Sequence, residues 1–139
     1  MQNHITALNI KNQGAGLYNF TQDIKSWIQS TGIQNGLLTV FCRHTSASLI
    51  IQENADPNVP LDLQTFFKKL VPEGEDLYLH HQEGLDDMPG HIKSVLTDVS
   101  LSIPVMDGKA VLGTWQGVYL FEHRSGGQTR EIILQILGD

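Results

Sequence analysis

Beyond residue 99 the chain loses its helical periodicity, and that change constrains the fold more than any other feature. Residues 100–105 alternate polar and apolar side chains, the period of a strand with one buried face. Asp107-Gly108 then reads as a type I′ hairpin turn, which needs two residues tolerant of positive φ, and residues 109–112 read as the returning strand. Residues 117–122 and 129–137 have the same character and read as a second pair, joined through Ser125-Gly126-Gly127. Four strands in succession without helices between them exclude a parallel sheet, whose crossovers each need a dozen or more residues.

Helices belong to the earlier part. Residues 5–10 alternate and predict a strand, and Gly14 and Gly16 mark a turn before residues 17–20. Thr21 is placed to cap a helix bearing Ile24, Trp27 and Ile28 and closed by Gly32. Residues 37–42 and 48–51 are β-rich runs. Asp56-Pro57 opens a second helix with an apolar stripe of Val59, Leu63, Phe66, Phe67 and Leu70. Asp86-Asp87-Met88-Pro89 opens a third, with Met88, Ile92, Val95 and Leu96 as its apolar face. The expectation is a single α+β domain over residues 1–139, a large, mostly antiparallel sheet with about three helices.

A chain of 139 residues suits one domain. Its net charge of −6 disfavours nucleic acid and anionic lipid, whose recognition rests on Lys and Arg. Cys42 is the only cysteine, so no intramolecular disulfide forms, and a small buried apolar role is expected. The N-terminus lacks the basic and apolar regions of a signal peptide, and no apolar run is long enough to span a membrane. A cytoplasmic protein is expected.

The chemistry concentrates in histidines and carboxylates. His44 ends an apolar strand and begins the hydroxyl cluster Thr45, Ser46, Ser48, which either binds phosphate or caps backbone groups. On a helix advancing about 100° per residue from Met88, Ile92 falls near 40° and His91 near −60°, at the border of the buried face. A half-buried imidazole there needs polar partners on both nitrogens, a metal and a carboxylate or carbonyl being one such set. His80 and His81 lie in the loop before that helix, His123 sits at a strand end, and His4 is expected to be exposed. No HExxH, Cys/His knuckle, P-loop or GxGxxG occurs.

Asp56 and Asp87 have an adequate explanation as helix caps; Glu53, ending an apolar strand, wants a cation, a metal or a donor network, and near a metal it would serve as general base or orienting group. Arg130, following Ser125-Gly126-Gly127-Gln128, is either a clamp for phosphate or carboxylate or a surface ion pair with Glu131 or Glu122. Trp115 and Gln116 lie in a break, residues 113–117, where backbone can approach a ligand or a neighbouring subunit; Trp115 also suits plain core or interface.

Taken together, His44-Thr45-Ser46-Ala47-Ser48-Leu49, Glu53-Asn54-Ala55-Asp56-Pro57-Asn58-Val59, Glu83-Gly84 with Asp86-Asp87-Met88-Pro89, His91-Ile92-Lys93-Ser94, Gly113-Thr114-Trp115-Gln116-Gly117 and Glu122-His123-Arg124 with Gly126-Gly127 and Arg130 resemble the YjbQ-like family over nearly the whole chain. The resemblance implies an α+β domain with a large mixed sheet, assembled as a homotrimer. It also implies a metal site on His44, His80 and His91, zinc by preference, with an open fourth position. His123 is the weaker match, because many relatives carry an Asp-Gly-Pro-Arg type turn there. The family's usual label, secondary thiamine-phosphate synthase, implies joining a pyrimidine diphosphate to a thiazole phosphate. In that reading Glu53 and Arg130 are catalytic, Arg43 or Lys93 assists the clamp, and Thr45, Ser46, Trp115 and Gln116 meet the anionic ligand. The rival expectation is a non-enzymatic metal- or ligand-binding trimer.

Overall fold

In the computed structural model, which describes residues 1–139, the elements run β1 (Gln2–Lys11), β2 (Gly16–Asn19), α1 (Thr21–Thr31), β3 (Gly36–Cys42), β4 (Ala47–Glu53), α2 (Asn58–Leu70), α3 (Asp87–Leu96), β5 (Ser100–Met106), β6 (Lys109–Ala110), β7 (Gln116–Glu122) and β8 (Thr129–Gly138). The strands form two sheets, a five-stranded one in the order β1-β8-β3-β5-β6 and a three-stranded one in the order β2-β7-β4. Every strand pairing is antiparallel. The α+β class, the three helices and the dominantly antiparallel sheet are those expected from sequence.

Alternation builds the core. Leu38, Val40 and Cys42 of β3, Leu101, Ile103 and Val105 of β5 and Ile132, Leu134 and Ile136 of β8 all turn to one face of the larger sheet. Ala47, Leu49, Val118 and Leu120 of the smaller sheet and Ile24 and Ile28 of α1 close over them. Each aliphatic side chain so enclosed contributes roughly 1.5–3 kcal/mol. Asp107 and Gly108, at φ 52° and 74°, make the β5–β6 turn that the sequence predicts. Gly32, at φ 74°, ends α1.

Four features depart from the sequence reading. β7 and β8 are not partners: β7 lies between β2 and β4, β8 between β1 and β3. β7 is buried on both faces from Gly117 to Glu122 and has both edges occupied, so the chain crosses to the other sheet before β8 begins. Thr21 is the first residue of α1, not its cap; its hydroxyl accepts the Val118 N–H at 2.8 Å and donates to Asn19.

The apolar stripes of α2 and α3 are not buried. α2 has no fully buried residue: Val59, Leu63 and Phe67 are half-buried, Phe67 edge-on to Phe121 at 5.3 Å between ring centroids, while Phe66 and Leu70 are exposed. α3 docks through Asp87, Pro89 and Gly90, leaving Val95 84% exposed. A Cβ at Gly90 would lie 3.4 Å from that of His123 and 3.5 Å from that of Ser46, so glycine lets this helix settle close against both sheet ends. Finally, Trp115 is 63% exposed and belongs to no core.

Backbone proximity at Gly36 gives a direct test of the β3–β8 junction. A Cβ there would meet the Leu137 carbonyl oxygen at 2.3 Å, whereas one at Gly126 would meet nothing within 4 Å. Gly36→Ala is expected to lower stability by about 1–3 kcal/mol in urea denaturation. Gly126→Ala is expected to change it by no more than about 0.5 kcal/mol.

Candidate metal centre and its buried support

The first turns of α3 and the loop before it bring His80, Glu83, Asp87 and His91 together, with one potential ligand atom from each lying within 4.8 Å of all the others. Helical spacing places Asp87 and His91 one turn apart on one face. The His80 and His91 rings lie 5.4 Å apart. Both Nε2 atoms face the same oxygen, Asp87 Oδ2, at 2.6 and 3.1 Å. Glu83 closes the group, with Oε2 3.4 Å from His80 Nε2.

The proton on His91 can be located by its partners. Nδ1 lies 2.7 Å from the Thr45 carbonyl oxygen, which only accepts, so Nδ1 carries the hydrogen. In the neutral ring Nε2 is then a bare lone pair, and it points at a carboxylate oxygen. Two acceptors 3.1 Å apart repel unless a cation, a proton or a metal ion, stands between them. Nitrogen and carboxylate donors in this number match zinc and other divalent first-row ions.

Asp87 is held in place from behind. Its Oδ1 accepts from Arg124 Nη1 at 2.8 Å while Arg124 Nε reaches Asp86 Oδ2 at 3.1 Å. Burial pushes the Asp87 carboxyl up, but the His80 hydrogen bond and nearby charges, including that of Arg124, outweigh it and hold the carboxyl below its ordinary value. His80 moves the other way, raised chiefly by its bond to Asp87.

Arg124 in turn depends on Glu122, which is fully enclosed. One carboxylate accepts five hydrogen bonds: from Arg130 Nε at 2.7 Å and Nη2 at 2.6 Å, Asn12 Nδ2 at 2.8 Å, and the backbone N–H groups of His123 at 3.0 Å and Arg124 at 3.1 Å. Burial raises this carboxyl, yet Arg130, Asn12 and the Arg124 amide more than compensate and its pKa is depressed.

The sequence-derived site is therefore divided. His80 and His91 meet, but His44 stands apart: its Nε2 accepts the Glu131 N–H at 2.8 Å, and burial together with the Arg130 charge lowers its pKa. His44 and His91 nevertheless line one shallow depression with Thr45. Thr45 serves through its carbonyl, not its hydroxyl. Ser46 is buried, its hydroxyl accepting from Arg130 Nη2 at 2.9 Å.

Arg130 is not an open clamp. It pairs with Glu122, as its ion-pair alternative foresaw, but inside the protein and not on the surface. Glu53 lies at the far end of β4, about 20 Å from Ala47 along an extended strand, and its carboxylate accepts the N–H groups of Ala55 and Asp56. Trp115 sits beside Glu53, and the Gln116 side chain accepts the Gly113 N–H, so these three are remote from the histidine pair. The sequence reading missed Asp87 as more than a cap, although its four-residue spacing from His91 on a helix was visible, and it missed Arg124, which has no local signal.

Comparison with known proteins finds relatives along nearly the whole chain. The family model described as UPF0047 protein YjbQ-like matches residues 6–139. A UPF0047 protein of Synechocystis is 54% identical over 136 residues, covering 98% of this chain and 92% of that one. The UPF0047 protein YjbQ of Escherichia coli O157:H7 is 41% identical over 133 residues, covering 95% and 96%. Among solved structures, a conserved protein of the YjbQ/UPF0047 family from Clostridium acetobutylicum superposes with a TM-score of 0.87 at 34% identity, covering 95% and 99%.

The buried pair yields a stability prediction. Arg130→Met strands the Glu122 carboxylate and is expected to cost about 3–5 kcal/mol in denaturant unfolding. Because the folded pKa of Glu122 is depressed, its contribution is complete above the ordinary value of 4.5 and is lost as pH falls through the folded value. Stability measured from pH 6 downward should therefore fall less steeply in Glu122→Gln than in the parent.

Proposed function

The chain belongs to the UPF0047 YjbQ-like family, and from that premise we propose a metal-dependent enzyme acting on a small phosphorylated or otherwise anionic metabolite. The metal, zinc first among candidates, is held by His80, Asp87 and His91 with Glu83 beside them. One observation carries the reading: the His91 lone pair faces Asp87 Oδ2 at 3.1 Å while its other nitrogen is committed to the Thr45 carbonyl. A ring fixed in that tautomer by a backbone carbonyl is the usual preparation of a metal-binding imidazole.

When bound, the ion supplies Lewis acidity toward an anionic oxygen. The chain's own residues do the positioning. Arg124 fixes the Asp87 carboxylate, the Thr45 carbonyl orients His91, and the exposed His80 and Glu83 leave one side open to solvent. With Arg130 enclosed, Arg43 remains on the rim near His44, itself bonded to Glu131. Condensation of a pyrimidine diphosphate with a thiazole phosphate, the activity that the resemblance implies, is the first reaction to assay.

Four donors also suffice for a closed tetrahedral shell, which favours the second reading, a metal-holding protein without turnover. Assembly as a homotrimer accompanies either reading, and the exposed apolar residues of α3, Val95 at 84% and Leu96 at 54%, together with Val99 at 49%, support an associating surface. No helix is long and apolar enough to cross a membrane.

Untagged protein is expected to carry about one equivalent of divalent metal per chain by elemental analysis, and Asp87→Asn and His91→Ala to lose most of it while remaining folded. Chelation should then abolish turnover of the condensation and metal return should restore it. Metal content unchanged in both variants would remove the centre; retained metal without turnover would select the second reading.

A further inference from the structure

A second polar cavity lies on the other side of α3. Lys93 follows His91 by two residues, about 160° away around the helix. It lines a cavity of about 300 Å³ with Phe67 and Lys68 of α2, Phe121 and Glu122 of β7, Glu73 and His123; the Glu122 carboxylate is already engaged by Arg130. None of these residues touches the His80–Asp87–His91 group through a hydrogen bond or ion pair.

Three features give the cavity its chemistry. His123 is 4% exposed, and its Nδ1 has no hydrogen-bond partner, a cost that buried polar atoms rarely carry without reason. Its Nε2 lies 2.9 Å from Ser48 Oγ. Lys93 is half-buried, and neither it nor Lys68 has a carboxylate in ion-pair reach; the ion pairs of this chain involve other groups. Phe67 and Phe121 supply an apolar wall.

We propose that this cavity binds a small organic anion, its carboxylate or phosphate head between Lys93 and Lys68 and its apolar body on Phe67 and Phe121, with His123 Nδ1 as an inner hydrogen-bond donor. The hydroxyl chain behind the ring permits that donor role. Thr97 donates to Ser48, Ser48 then donates to Nε2, and the ring hydrogen is left on Nδ1. Were Thr97 to donate instead to the Lys93 carbonyl at 2.8 Å, Nδ1 would be bare and would repel an anion. An anionic head selects the first arrangement. Half-buried Lys93 and exposed Lys68 offer such a head two ammonium groups against the one carboxylate of Glu73.

The test uses protein labelled with ¹⁵N at histidine, with ring nitrogens observed while phenyl phosphate, benzoate and inorganic phosphate are added separately. A saturable displacement of the His123 nitrogens, Nδ1 in the protonated range, is expected with phenyl phosphate or benzoate. Whichever of the two binds more tightly names the head group, and inorganic phosphate should bind more weakly than phenyl phosphate for want of an apolar body. Lys93→Met is expected to weaken binding about tenfold or more and Lys68→Met to weaken it less, both with metal content unchanged. If Lys93→Met does not fold, Lys68→Met together with Phe67→Ala carries the test. The proposal is overturned if no probe saturates at millimolar concentration, if affinity is unchanged in the folded variants, or if His80 and His91 respond while His123 does not.

Discussion

The Glu122 carboxylate is the fixed point on which the polar half of this molecule depends. A fully enclosed charge is tolerated only when its lone pairs are met, and here five donors meet them. Those donors come from three separated places. Asn12 lies just after β1, Arg130 in β8, and His123 and Arg124 at the crossing between sheets. One ion pair therefore ties the five-stranded sheet to the three-stranded one at the end where apolar packing stops. It also sets the backbone from which Arg124 reaches Asp86 and Asp87. Alternating charges run from a dry interior to a wet rim, Arg130 and Glu122 within, then Arg124 and Asp87, the two pairs joined through the Arg124 backbone N–H.

That order explains why an acidic residue with 2% exposure can stand on a helix beside two imidazoles. Arg124 neutralises one Asp87 oxygen and leaves the other for whatever cation the imidazoles share. With the carboxylate held rigidly and His91 fixed by the Thr45 carbonyl, His80 and Glu83, on the loop, are the two free to adjust. In the proposed metal reading, two fixed donors and two adjustable ones would accommodate an ion without distorting the sheets.

Local patterns were legible where one element settles the matter. The period of β5 and β8, the Asp107-Gly108 turn, the Gly32 stop and the burial of Cys42 all follow from neighbours in sequence; the β-rich run of β3 read as a buried strand, but Leu37 and Phe41 face outward. What was not legible depended on the second partner. α3 has a good apolar stripe, yet it docks through Gly90 and Asp87, because close approach to Ser46 and His123 and a bond to Arg124 prevail over the burial of Val95. β7 and β8 look like a hairpin from their spacing, but β7 already has both edges filled. His80 and His91 could be paired by a loop folding back; His44 could not be excluded from them, because nothing in its surroundings announces the Glu131 amide. Arg130 showed two credible partners, and only burial decides that the carboxylate keeps it.

Lys93 and His91 bring the two polar sites into one rigid body. They sit on one short helix, facing opposite ways, and Gly90 seats that helix against the same His123 that lines the second cavity. Thr97 closes the arrangement, because its hydroxyl lies within bonding reach of both the Lys93 carbonyl and Ser48, the residue that sets the His123 ring. The proton placement on His123 is thus coupled to the last turn of α3, while that on His91 is coupled to Thr45 at the start of the same β4 edge. A helix docked by a glycine and polar contacts, with Val95 and Leu96 outward, can carry such couplings: small shifts cost little packing, and every change registers in hydrogen bonds.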